Sequence, residues 1–157
     1  MPGRLQAEIK QSKPFPHPTA EALLGILRTA AVLEHHLGEG LKPYGITTTQ
    51  YNVLRILRAA GRGGLSCTEI GERMVTRDSD LTRLISGLER DGLVARQTDA
   101  KDRRRSINRI TPAGKALLSR LDHDVAEAAK LTMGHLGRKR LTALLDLLVE
   151  FAPPPLS

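Results

Sequence analysis

The stretch LERDGLVARQTDAKDRRRSINRITPAG, residues 88–114, decides the fold. Leu88 closes an apolar helical pattern, and Gly92 suits the left-handed residue that follows a helix end. Leu93-Val94-Ala95-Arg96-Gln97 leads into the turn-rich Asp99-Ala100-Lys101-Asp102, and Ser106-Ile107-Asn108-Arg109-Ile110 alternates polar with apolar, so the two runs read as a β-hairpin. Thr111-Pro112 opens another helix, with proline at the first position, where its missing N–H costs nothing. Between 96 and 109 the hairpin carries Arg96, Lys101, Arg103, Arg104, Arg105 and Arg109 against Asp99 and Asp102, a local balance of +4 from six minus two. Taken alone, such a cluster is as readily a solvated hairpin. Its place directly after the Gly-Leu-Val helix exit makes it a positioned cationic device.

Upstream, Leu81, Leu84, Ile85 and Leu88 predict a helix from Thr76, as its cap, to Arg90, leaving Arg77, Ser79, Thr82, Arg83 and Ser86 outward. Ser66-Cys67-Thr68-Glu69 has the spacing of a capping box, with Leu65 and Ile70 placed as a hydrophobic staple, for a short helix to about Met74. Thr47 and Gln50 form a second such pair, heading a helix to about Ala60 that buries Tyr51, Leu54 and Leu57. The order is helix, helix, recognition helix, basic wing. Outward side chains of a recognition helix read base edges in the major groove, which carry a full donor and acceptor code. Wing cations suit the narrower groove and its phosphates. Thr82 is the expected phosphate ligand and Arg83 or Arg77 the expected base reader, although a solvated helix face has the same periodicity.

The chain ends hold the remaining apolar pattern. Leu23, Leu27, Ala30, Leu33 and Leu37 form a stripe on a helix at about 19–38, which Gly38 and Gly40 are expected to end. Leu117, Leu118, Leu121, Val125 and Ala128 line a long helix from Pro112, and a Leu-rich helix at about 138–151 follows an interruption at Gly134 or Gly137. A winged unit could bury only part of these stripes, so a homodimer is expected, and its twofold axis implies a palindromic operator. The predicted fold class is mainly α (α+β): a winged helix-turn-helix at about 46–111 between dimerisation helices at about 19–42 and 112–151, all within one domain, 19–152. Residues 1–18, with Pro14, Pro16 and Pro18, are expected to form a flexible or extended arm, and 153–157 a Pro-rich tail.

The 157 residues, 40% hydrophobic and 26% charged, fit a soluble globular domain, and a net charge of +7 favours polyanionic partners. Apolar runs fall far short of the roughly 20 residues of a membrane span, and the N-terminus lacks the apolar core of a secretory signal. A cytoplasmic protein without membrane partners is expected. The single Cys67 excludes an internal disulfide and a cysteine-rich zinc site, and is read as a structural, buried or half-buried thiol. His35 and His36 point to different helix faces, and neither they nor His123 and His135 have ligand spacing, so no metal or cofactor is expected. Nor is there a phosphate-cradling glycine loop, GxSxG or HExxH, which argues against an enzyme. None of the aromatics Phe15, Tyr44, Tyr51 and Phe151 lies in the wing, so RNA recognition by stacking is disfavoured. A non-specific or architectural DNA-binding protein remains the alternative to a sequence-specific regulator. Gly87, inside the predicted recognition helix, has no assigned role.

From about 20 to 150 the sequence resembles the MarR family of winged helix-turn-helix transcriptional regulators. The match is carried by Ile46-Thr47-Thr48-Thr49-Gln50-Tyr51-Asn52-Val53-Leu54, Thr82-Arg83-Leu84, Leu88-Glu89-Arg90-Asp91-Gly92-Leu93-Val94, Asp102-Arg103-Arg104-Arg105 and Ile110-Thr111-Pro112-Ala113-Gly114. The resemblance implies an intertwined homodimer that binds double-stranded DNA, commonly as a repressor tuned by a small molecule such as a phenolic or aromatic acid. By the same resemblance Asp102 buttresses the wing, Arg104 enters the minor groove, and Arg103 or Arg105 sits on phosphate. It also places an effector cavity between the winged domain and the dimer helices, with His36, Tyr44, Tyr51 and Arg55 as candidate lining. Asp78 and Asp80 depart from the family pattern, as acidic groups near the head of the recognition helix; capping that helix or accepting from a cytosine amino group would account for them.

Overall fold

The structure is a computed structural model and describes residues 4–151; the Pro-rich tail lies outside the described residues. Seven α-helices and one hairpin follow in the order α1 (Arg4–Glu8), α2 (Pro18–Leu41), α3 (Thr48–Ala60), α4 (Cys67–Arg73), α5 (Leu81–Arg90), β1 (Val94–Thr98), β2 (Ser106–Ile110), α6 (Pro112–Met133) and α7 (Gly137–Phe151). Both capping boxes form. Thr47 accepts from the Gln50 amide while Gln50 accepts from that of Thr47, and Ser66 and Glu69 do the same at α4. Leu65 and Ile70 are both buried, as the staple requires.

The core surrounds α3. Leu54 and Leu57 of α3 share one buried cluster with Ile70 of α4, Ile85 and Leu88 of α5, Val94 and Ile110 of the hairpin, and Leu118 and Leu121 of α6. The strands pair antiparallel with Val94 opposite Ile110 and Thr98 opposite Ser106. Leu65 adds a one-residue bridge to Asn108, giving β2 a rudimentary second neighbour. Within α2 only Leu41 is buried, and α7 buries none of its residues.

The sequence motifs on either side of the hairpin prove to be one joint. Gly92 (φ +74°) and Leu93 close the end of α5, their amides donating to Glu89 and Leu88 oxygens at 3.0 and 2.9 Å. Thr111 then donates from its backbone N–H to Leu93 O (3.0 Å) and from its hydroxyl to Gly92 O (2.7 Å), and the same hydroxyl accepts from the Gly114 amide (3.1 Å). A Cβ on Gly114 would lie 2.4 Å from Leu93 O, so only glycine lets α6 start this close to the chain leaving α5.

The structure departs from the sequence reading at several points. Residues 4–8, assigned to an extended arm, form a helical turn whose Leu5 lies against Gly25 of α2, and Glu8 pairs with Arg28 at 3.5 Å. Helix α2 does not stop at Gly38 or Gly40; it runs to Leu41, and left-handed Gly45 (φ +70°) ends the following 3-10 turn. The recognition helix begins at Leu81 rather than after Thr76, which puts Arg77 and Ser79 in the preceding turn. Its two aspartates explain this. Asp78 accepts from the Asp80 amide (2.8 Å) and Asp80 from the Arg83 amide (3.3 Å), giving the backbone partners that helical bonds would otherwise supply. In β2 the fully buried residue is polar Asn108, whose side chain donates to Leu65 O at 3.1 Å.

Candidate nucleic-acid interface

Helices α4 and α5 with the intervening turn form the helix-turn-helix. The turn is pinned from α3, where Asn52 Oδ1 accepts the Val75 amide at 3.0 Å. On α5, Ile85 and Leu88 face the core, and Thr82, Arg83 and Ser86 share an exposed face. Arg77 and Ser79 are also exposed, just before that face begins. Asp78 and Asp80 thus act as local caps. The Ser86 hydroxyl is already engaged, donating to Thr82 O (2.9 Å) and accepting from Arg96 (3.2 Å).

At the wing tip Asp102 organises the chain. Its backbone oxygen accepts from the Arg105 amide (2.9 Å) and its carboxylate from the Arg104 amide (3.0 Å), so residues 102–105 close a β-turn with Arg103 and Arg104 at its centre. Asp99 accepts from the Lys101 amide (2.9 Å) and donates its own amide to Arg105 O (2.8 Å), locking the base of the same loop. Arg103 and Arg104 are exposed, and neither has a carboxylate partner among the described residues. The other wing arginines each have a partner in the chain. Arg96 meets Ser86 and Glu89, Arg105 meets Glu69 (3.4 Å), and Arg109 donates to Arg62 O (2.8 Å) and Gln97 (3.1 Å).

Glu69 serves two elements. Its carboxylate completes the α4 capping box and receives Arg105, and the Ser66 amide and hydroxyl, helped by Arg105, hold it below the usual glutamate range. The capping role was readable from local spacing, whereas the link to Arg105 crosses 36 residues and has no local signal. The same holds for Arg58, which grips Asp122 of α6 through two hydrogen bonds of 2.8 and 3.0 Å; this pair lowers the Asp122 pKa and raises that of Arg58. Tyr44 likewise donates to Asp124 of α6, which pushes its hydroxyl pKa up.

Among the described residues, His36 and Tyr44 line different hollows. His36 lines a cavity of about 620 Å³ on α2 with Leu24, Leu27 and Arg28. Tyr44 lines another, of about 610 Å³, with Leu93, Leu117 and Arg120. Tyr51 is buried, which raises its pKa, and Arg55 lies over its ring at 5.7 Å. Cys67 is half-buried at the first position of α4, with the Asn108 amide nitrogen 3.9 Å from its sulfur.

Known proteins share this arrangement. The MarR family model matches residues 44–105, which span the helix-turn-helix, β1 and the wing tip up to Arg105. The chain is 28% identical over 111 residues to the homoprotocatechuate degradative operon repressor of Escherichia coli, covering 71% of this chain and 74% of that one. It superposes on a MarR transcription factor from Planctomyces limnophilus with a TM-score of 0.68 and 32% identity, over 85% of this chain and 97% of the other. It is also similar to NadR solved in complex with 4-hydroxyphenylacetate, with a TM-score of 0.70 and 26% identity, over 89% of this chain and 98% of NadR.

Proposed function

This chain belongs to the MarR family, and from that premise we propose that it is a repressor that binds a palindromic operator as a homodimer and lets go when it takes up a small aromatic acid. It is a DNA-binding transcriptional regulator and not an enzyme. The observation that carries the DNA reading is the wing tip: two unpaired arginines held out on a turn that Asp102 braces, beside the exposed Thr82, Arg83 and Ser86. In this reading α5 enters the major groove, Arg104 the minor groove, and Arg103 a flanking phosphate, with Arg77 and Ser79 reaching the backbone beside the head of α5. Arg105 meets Glu69 at 3.4 Å yet stays about half exposed, so it remains with Arg103 a candidate for a flanking phosphate.

The dimer reading rests on apolar surface. Leu23 and Leu27 of α2 and Leu145, Leu148 and Phe151 of α7 stand exposed, and an isolated 15-residue helix that buries nothing is marginal in water. A second copy laid against these faces would bury them. The effector cavity would then be completed between the dimer helices and the winged unit, where Tyr51 with Arg55, and Tyr44 with Arg120, pair an aromatic ring with a cation suited to a carboxylate. An acid that fits only one angle between the winged units would shift the dimer away from its DNA-bound state. Such a protein works in the cytoplasm, beside the chromosome. Among the described residues no helix is long and apolar enough to cross a membrane.

The test is selection of duplexes from a random-sequence pool, followed by competition against unselected DNA. A shared inverted repeat, bound with steep salt dependence and released by 4-hydroxyphenylacetate or a related acid, is the expected result. Retention without a common twofold site would favour an architectural DNA binder.

A further inference from the structure

Side-chain geometry divides the wing's arginines into two groups. Arg103 and Arg104 stand exposed at the tip, while Arg96, on β1, lies across the gap to α5. Its side chain is 26% exposed, and its Nε, shut off from water, sits 3.6 Å from Glu89 Oε2. Its Nη2 donates to Ser86 Oγ at 3.2 Å. Ser86 and Glu89 are three residues apart on one face of α5, so a single guanidinium grips the recognition helix at two points. The Ser86 hydroxyl it holds donates in turn to Thr82 O, at the first turn of that helix. An exposed ion pair alone would contribute little. Here the Nε is out of water and makes no hydrogen bond of its own, so the Glu89 carboxylate beside it offsets the burial of the charge, and its loss leaves that charge uncompensated.

We infer that Arg96 is a positioning residue: it fixes the distance between the recognition helix and the wing, without itself touching a phosphate, so that both reach DNA together. The inference rests on the reading of α5 and the wing as the DNA interface. A two-groove reader needs its parts at a set separation, and a displacement of an ångström at a positioned group is costly. The two strands are tied to each other by the hairpin ladder. Arg96 is the side chain on β1 that ties them to α5 by hydrogen bond and ion pair.

The test uses the full chain and a duplex selected from a random pool by the wild-type protein, titrated across a range of salt. Arg96→Met keeps the side-chain stem and removes the grip. It is expected to weaken binding about tenfold while leaving the slope of log K against log salt unchanged. Arg104→Ala should instead make that slope shallower by about 1. Glu89→Ala supplies a second, sign-sensitive arm. If Glu89 were merely an acidic group near DNA, its loss would tighten binding, whereas its loss as a holder of Arg96 weakens it at constant slope. Unchanged affinity in Arg96→Met, a slope shallower by about 1 in that variant, or tighter binding in Glu89→Ala each overturns the inference. Should Arg96→Met fail to fold, Glu89→Ala decides alone. If Arg104→Ala leaves affinity and slope untouched, the DNA-interface reading itself has failed.

Discussion

Gly114 and Gly87 are both glycines inside helices, and their surroundings give them opposite consequences. A Cβ at Gly114 would meet Leu93 O at 2.4 Å and Ile110 Cγ1 at 2.7 Å, and a backbone carbonyl at a structural joint cannot step aside. A Cβ at Gly87 would meet nothing nearer than Arg90 Nη2 at 3.7 Å, an ordinary contact. Gly114→Ala is therefore expected to destabilise the protein by about 2 kcal/mol through overpacking. Gly87→Ala should stabilise it by up to about 1 kcal/mol through helix propensity. Urea unfolding midpoints measured side by side check both signs. In the sequence Gly87 was merely unexplained, and Gly114 belonged to a motif without a stated reason. The contact that separates them comes from Leu93, remote in sequence, and local pattern carries no trace of it.

Among the elements, those whose ends are settled locally were legible. The boxes Thr47–Gln50 and Ser66–Glu69 and the start of α6 at Thr111-Pro112 sit where spacing puts them, because each cap is a bond between residues three apart. The start of α5 was misplaced because the Asp78 and Asp80 side chains compete with helical bonding, a contest that apolar periodicity does not register. The wing tip was legible as a turn, but the division of its arginines into struts and probes depends on Glu69, Ser86 and Glu89, which lie on other elements. Glu69 caps α4 and meets Arg105, and its acid response tests chiefly the capping bonds to Ser66. Because its folded-state pKa is lowered, its contribution is full above the ordinary glutamate value of roughly 4.3 and is lost as pH falls through the lowered one. Asp122, held down by Arg58, acts with the same sign. The melting temperature should thus fall as pH drops below about 4. Glu69→Gln, which keeps an acceptor for the Ser66 amide, should show a smaller acid-induced drop than wild type; an equal drop would mean that ionisation of this carboxylate adds nothing to stability.

At the scale of the whole molecule, the apolar ledger is lopsided. The core is concentrated around α3, while the longest helix, α2, buries only Leu41 and α7 buries nothing. Leu145 is 62% and Leu148 47% exposed, three residues apart on one side of α7. The stripes are visible in the sequence, and their excess over what a winged unit can bury points to a second copy, but which residues of that copy they would meet is not written in one chain's periodicity. His36 and Tyr44 line separate hollows and Tyr51 is buried; in the proposed dimer, a cavity between dimer helices and winged unit would be complete only when both copies contribute walls. The double substitution Leu145→Glu with Leu148→Glu places carboxylates where partner leucines would pack, and burying unpaired charge there costs more than the interface can return. Sedimentation velocity should show a dimer for wild type and a monomer for this variant. Far-UV circular dichroism should retain most of the helical signal, because the core of the winged unit contains neither residue. Since two linked half-site contacts exceed one by roughly 100-fold or more, affinity for the selected inverted repeat should collapse by about that factor, while affinity for a single half-site changes little. A variant that stays dimeric would move the interface off α7, and one that turns monomeric yet keeps full affinity would remove the need for a twofold operator.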